Sequence, residues 1–127
     1  MNEFPLFVAN EARTSNSWLN VTNKYSHEVA ARVAQAGASE LEQAIQAAHE
    51  AAPVMRKLAA YQRKAILEHT VTRCRERAEE LAYWLCVEAG KPINDARGEV
   101  GRLIDTMQIS AEEAIRINGE MLPLDIS

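Results

Sequence analysis

Two cysteines, Cys74 and Cys86, and three histidines, His27, His49 and His69, are the side chains here best suited to nucleophilic or metal chemistry. A catalytic thiol works as a thiolate, which needs a helix N-terminus or a neighbouring histidine to lower its pKa. Cys74 falls on the inward stripe of a predicted helix, and Cys86 follows Trp84 and Leu85 in the same helix. Both therefore read as buried structural thiols, the common state of free cysteine. Their separation of twelve positions in one helix corresponds to about 18 Å, beyond disulfide reach. No two of the five residues have zinc-ligand spacing. The histidines fall on a turn and two helices, with no acid paired to any of them.

Two other patterns invite a functional reading. Gly98-Glu99-Val100-Gly101 has the Gly-x-x-Gly form of some nucleotide and RNA loops. It lies inside a periodic helix with no strand before it, so close helix packing is the expected role. The chain has no Gly-x-Gly-x-x-Gly phosphate cradle. Arg56, Lys57, Arg63, Lys64, Arg73, Arg75 and Arg77 make up seven of the 14 lysines and arginines. Glu68, Glu76, Glu79 and Glu80 interleave with them, which predicts a solvated face with local ion pairs and no phosphate track.

The elements that hold these residues follow from hydrophobic periodicity. Leu6 to Ala9, Trp18 to Val21 and Val29 to Val33 read as short strands, antiparallel where they pair. Ser39 and Glu42 have capping-box spacing, and Leu41, Ala44, Ile45 and Ala48 share one face of the helix that follows. Pro53, lacking an amide hydrogen, is expected to end that helix near Ala51. A second helix is predicted from Ala60 to Ala89, its inward stripe formed by Ile66, Thr70, Cys74, Ala78, Leu81 and Leu85. Gly90 suits its C-cap, and Pro92 opens a third helix. Ala96, Val100, Leu103, Met107, Ala111 and Ala114 line that helix, which is expected to end at Asn118-Gly119. The fold class is thus a mainly helical α+β segment: short N-terminal antiparallel strands, then three amphipathic helices. The whole of residues 1–127 reads as one unit, with strands over 1–37, a helical region over 38–119 and an extended tail over 120–127.

Bulk properties narrow the class. Hydrophobic content of 47% and charge of 25% over 127 residues fit one soluble globular unit. A net charge of −4 offers no general attraction to nucleic acid or anionic membrane. No apolar run is long enough to span a bilayer. The opening residues lack the basic and apolar regions of a signal peptide. Asn20-Val21-Thr22 matches a glycosylation acceptor, which without secretion is chance. Reduced thiols and a cytoplasmic location are the expectation.

The order and spacing of several short pieces resemble the N-terminal region of the aldehyde dehydrogenase superfamily. Asn10-Glu11 stands at the family's usual tight turn, and Leu41 to Leu58, ending in Arg-Lys-Leu, is similar to its first helix. Tyr61-Gln62-Arg63, Ile66-Leu67 and Glu79-Glu80-Leu81-Ala82 match the second helix. Glu88, Gly90-Lys91-Pro92 and Glu99-Val100 match the third and its entry. Gly119-Glu120 and Pro123 match the segment leading to the oligomerisation hairpin, while Asn23-Lys24 departs from the family's frequent Asn-Pro.

This resemblance implies the N-terminal part of the α/β aldehyde dehydrogenase fold, within the cofactor-binding domain. It further implies a parent that oxidises aldehydes to acids with NAD or NADP. The family's nucleophilic cysteine, glutamate base, oxyanion asparagine and dinucleotide contacts come later than Ser127. No catalytic, cofactor-binding or metal-binding role therefore transfers to a residue here, and the chain alone is expected to bind no cofactor and to be inactive. In some members an acidic residue matching Glu99 lies near a structural monovalent cation. The expected partner is the missing remainder of the enzyme, or another copy of this chain through self-association. The alternative reading is a stand-alone helical interaction or oligomerisation module.

Overall fold

A computed structural model describes residues 2–124. Five short strands precede four helices: β1 (Asn2–Phe4), β2 (Leu6–Val8), β3 (Glu11–Arg13), β4 (Trp18–Thr22), β5 (Val29–Ala34), α1 (Ala38–Lys57), α2 (Ala60–Glu76), α3 (Ala78–Ala89) and α4 (Ile93–Glu113).

The strands form two small sheets. β2 and β3 make a hairpin whose two turn residues, Ala9 and Asn10, both have positive φ (52° and 65°). That handedness matches the right-handed twist of the flanking strands. The turn thus lies one residue before Asn10-Glu11, and Glu11 is already paired with Val8. The other sheet has the order β1-β5-β4. β4 and β5 are antiparallel, with Trp18 opposite Ala34 and an irregularity between Val21 and Thr22. β1 and β5 are parallel, with Phe4 opposite Val33. The strands read from the sequence pair antiparallel as expected, and β1, which was not among them, adds the parallel pair. β1 reaches β5 only after the chain has passed through three other strands, the long connection that parallel pairing needs.

Among the described residues the helices number four, one more than their periodicity predicts. The long second helix breaks at Arg77, whose φ of −109° and ψ of 17° leave the helical region. No glycine or proline marks the site. α2 and α3 both pack against α4, and the bend directs both Val71 and Ala82 into buried positions. Arg77 also forks onto Glu80 in the first turn of α3, at 2.8 and 2.6 Å.

The termini of α1 and α4 also differ from expectation. α1 continues through Pro53 to Lys57. None of its residues is buried, so the carbonyl left without a donor by Pro53 faces water. At its start the cap lies two positions earlier than Ser39 and Glu42: the Gly37 amide donates to Glu40 Oε2 at 2.9 Å. α4 stops at Glu113, short of Asn118-Gly119. Ile115 and Ile117 beyond it are exposed, so no packing holds further turns. Residues 121–124 form no helix or strand, and the rest of the predicted tail lies outside the described residues.

The core sits where α3 meets α4. Ala82, Ala96 and Val100 are buried, with Ala78, Leu81, Leu85, Cys86 and Ile104 packed around them. Alanines at the contact allow the two helix axes to approach closely. Met107, Ala111 and Ala114 continue the inward stripe of α4, whereas Leu103 on the same helix is 38% exposed. On α2, Val71 is buried and Ile66, placed on the inward stripe by periodicity, is exposed.

Candidate functional site

An apolar concavity lies beside this core. Leu81, Trp84, Leu85, Glu88 and Ala89 of α3 face Glu99, Val100 and Leu103 of α4 across an open groove of about 550 Å³. The sequence places these residues on one face of each helix, and the small side chains beneath bring the helices together. Trp84 is fixed from behind by Phe4 of β1, with ring centroids 5.6 Å apart at 86°, and by Tyr83 at 5.5 Å. The edge-to-face geometry suits aromatic quadrupoles.

Charged pairs hold the groove's walls. Arg97 of α4 donates from Nε and Nη2 to both carboxylate oxygens of Glu79 on α3, at 2.8 to 3.2 Å. The hydrogen bonds from Arg97 hold the Glu79 carboxyl below its ordinary pKa. At the rim, the Lys91 ammonium donates to Glu99, and that contact lowers the Glu99 carboxyl in the same way. Glu88, on the same rim, has no ion pair among the described residues.

The turn between β4 and β5 closes the C-terminal end of α3. Asn23 Oδ1 accepts hydrogen bonds from the amides of Tyr25 (2.8 Å) and Ser26 (3.3 Å), and the Lys24 amide donates to the Val87 carbonyl at 3.1 Å. Gly90 caps the helix at φ +69°, and a Cβ there would stand 3.0 Å from Lys24 Cβ. A second open depression, of about 500 Å³, lies here between Lys24, Tyr83, Cys86 and Lys91.

The residues singled out for chemistry are not brought together. Cys74 on α2 and Cys86 on α3 are both free thiols of intermediate exposure, less buried than their positions predict. The bend at Arg77 puts them on different helices. His27, His49 and His69 are exposed on a turn, on α1 and on α2. Among the described residues, no group of three or more His, Cys, Asp or Glu could hold a metal ion. The cation meeting Glu99 is the Lys91 ammonium.

Gly98 and Gly101 face open space, with nothing within 4 Å of an added Cβ. The close helix packing expected for them is absent among the described residues. Three basic residues of α2 and its end are drawn into local pairs, Lys64 with Glu68, Arg73 with Glu76 and Arg77 with Glu80. No helix among the described residues is long and apolar enough to cross a membrane. What this arrangement offers is an apolar, charge-edged surface on a fixed pair of helices, a surface for packing.

The model of the aldehyde dehydrogenase family matches residues 10–127. A 3-sulfolactaldehyde dehydrogenase of Priestia megaterium is 35% identical over 125 residues, which is 98% of this chain and 26% of that protein. A glutarate-semialdehyde dehydrogenase of Pseudomonas putida is 36% identical over 105 residues, covering 83% of this chain and 22% of its own length. Among solved structures, aldehyde dehydrogenase 21 of Physcomitrella patens, in complex with the reaction product succinate, superposes with a TM-score of 0.93 at 50% identity. It covers 99% of this chain with 26% of its own. The lactaldehyde dehydrogenase of Escherichia coli gives a TM-score of 0.88 at 29% identity, covering 98% of this chain and 27% of that one. The chain thus spans about a quarter of the length of the relatives it matches.

Proposed function

The chain belongs to the aldehyde dehydrogenase family, and we propose that it is the N-terminal segment of an NAD(P)-dependent enzyme that oxidises an aldehyde to a carboxylic acid. The observation that carries this reading is near-complete coverage of the chain, 99%, by one contiguous fold at 50% identity and a TM-score of 0.93. In the overall reaction, aldehyde, water and NAD(P)⁺ give carboxylic acid, NAD(P)H and a proton. This segment's part is architectural: α3 and α4, locked by Glu79 and Arg97, form a preformed helical flank for the rest of the enzyme.

The 127 residues alone carry out no aldehyde oxidation. Cys74 and Cys86 are separated from each other, and neither lies in a nucleophile's setting with a base. NAD or NADP belongs to the parent's remaining sequence. The substrate class we favour is a small aldehyde with an anionic group elsewhere in the molecule. Sulfolactaldehyde, glutarate semialdehyde and a succinate-yielding aldehyde have that form and belong to three of the four relatives named, the lactaldehyde enzyme being the exception.

The test mixes purified chain with succinate semialdehyde and NAD⁺ or NADP⁺ and follows absorbance of the reduced nicotinamide. The expected result is no reduction above the protein-free rate. Aldehyde-dependent reduction that persists after repurification would overturn the architectural assignment. Sequencing the source locus across codon 127 tests the parentage, and a frame continuing into a cysteine-containing catalytic region is the expected outcome.

A further inference from the structure

We propose that β1 is a detachable strap, latched across β5 onto α3, which sets the Trp84 ring in the wall of the α3–α4 groove and releases without unfolding the helices. Phe4 is the positioning residue of this device, and Trp84 is the residue it positions.

The strap starts from a change of sheet. Pro5 alone separates β1 from β2, yet β1 pairs with β5 while β2 pairs with β3 in the other sheet. Proline fixes φ and has no amide hydrogen to give to either ladder. The chain therefore leaves one sheet and enters the next at a single stiff residue. β1 thereby ties the hairpin to the sheet whose β4 strand packs on α3.

Three attachments hold it. Asn2, Glu3 and Phe4 lie opposite Ala31, Arg32 and Val33 in parallel register. Arg32 Nη1 donates to Glu3 Oε1 at 3.2 Å, and the same guanidinium stands 5.1 Å from the centroid of the Trp18 ring. Phe4 reaches past the sheet to meet Trp84 of α3 edge-on, at 5.6 Å.

Each attachment is weak alone. All three residues of β1 are exposed, and parallel pairing is the weaker kind per residue. Solvent screening limits what a partly exposed ion pair contributes. Such a segment belongs to the low end of local stability, where opening does not require global unfolding. The core of Ala82, Ala96 and Val100, with the side chains packed around it, comes from α3 and α4. Release of β1 leaves that helix pair closed.

What release changes is Trp84. Its half-buried ring lines the groove beside Leu81 and Leu85 and touches Phe4 and Tyr83. Tyr83 belongs to α3 and moves with it, so Phe4 is the support that can be withdrawn. Edge-to-face contact favours one orientation of the ring. The chain's two tryptophans, Trp18 and Trp84, both stand at the strap's attachments, so fluorescence reads docking directly.

The test uses the purified chain carrying Trp18→Phe, which leaves Trp84 as its sole tryptophan. Acrylamide quenching of the Trp84 emission is measured beside far-ultraviolet circular dichroism. Phe4→Ala is expected to raise the quenching constant about twofold as the ring loses its edge-on cover, with the helical dichroism unchanged. Phe4→Tyr keeps the ring and should leave quenching at the parent value. Glu3→Arg, which sets two cations together, should raise quenching as Phe4→Ala does, and adding Arg32→Glu should restore it.

Unchanged quenching in Phe4→Ala would overturn the positioning of Trp84, as would Phe4→Tyr behaving like Phe4→Ala. Loss of helical dichroism in Phe4→Ala or Glu3→Arg would overturn detachment, because β1 would then be supporting the helices. Quenching that Arg32→Glu fails to restore would overturn the latch.

Discussion

Arg97 on α4 holds both carboxylate oxygens of Glu79 on α3 in a fork, with Nη2 2.8 Å from Oε2 and Nε 3.0 Å from Oε1. The residues are separated by 18 positions, so the pair joins two helices and does not reinforce one. Both side chains are more than half exposed, and solvent screening limits what such a pair contributes. Its value is geometric, because it fixes the relative position of the two helices that form the groove.

The pH dependence of this pair has a definite sign. Glu79 has a folded pKa below its ordinary value of 4.5, principally through the Arg97 hydrogen bonds. Glu80 is lowered by Arg77, and Glu99 by Lys91. A depressed carboxylate stabilises the fold fully above its unfolded pKa, and that contribution disappears as pH falls through the folded value. Thermal melts of the chain should therefore lose stability progressively below about pH 5. Arg97→Ala should lower the melting temperature at pH 7 and have a smaller effect at pH 3. An Arg97→Ala difference that stays constant between those pH values would contradict the assignment.

Gly90 answers two demands at once. Its φ of +69° is a left-handed helix cap, and an added Cβ would lie 3.0 Å from Lys24 Cβ. Gly90→Ala should therefore destabilise the chain by about 1–2 kcal/mol from the backbone alone, with a further loss from the displaced turn. Chemical denaturation measures the total. The contact with Lys24 is separable, because Lys24→Gly in the Gly90→Ala background should recover part of the loss.

Val71 is 1% exposed and anchors α2. Val71→Ala should cost roughly 2 kcal/mol through lost apolar burial and the cavity left behind. Ile66→Ala on the same helix removes a larger side chain at a position 50% exposed, and should cost less. Periodicity alone, which put Ile66 on the inward stripe, gives the reverse order. Paired denaturation curves of the two variants decide between the orders.

The sequence carried the helical region, the strand-rich start, and the inward faces of α4 in its spacing of apolar residues. It carried the Gly90 cap because a left-handed helix cap favours glycine. The break at Arg77 was hidden, since every residue from Ala60 to Ala89 is compatible with one continuous helix and only packing on α4 separates α2 from α3. β1 was hidden for a related reason. Asn2, Glu3 and Phe4 lack apolar alternation, and become a strand by pairing with residues 29 positions away. The groove was partly legible, for Leu81, Leu85 and Leu103 stood out as faces in need of a partner. The Arg97–Glu79 fork was not, because it depends on the crossing of two helices.

The two thiols provide a test of where the chemistry resides. Cys74 and Cys86 are half-buried on different helices. In a fusion of residues 1–127 to the remaining portion of the Priestia megaterium 3-sulfolactaldehyde dehydrogenase, serine at both positions should leave aldehyde oxidation within about twofold of the unsubstituted fusion, because neither thiol acts as the nucleophile. Loss of an enzyme's true nucleophile removes on the order of 10⁶ in kcat, so the alternatives differ by far more than assay error. A collapse of kcat in Cys74→Ser or Cys86→Ser, with the melting temperature unchanged, would move the nucleophile into this segment. Retained kcat places the chemistry in the remaining sequence and leaves this segment the task of holding it in position.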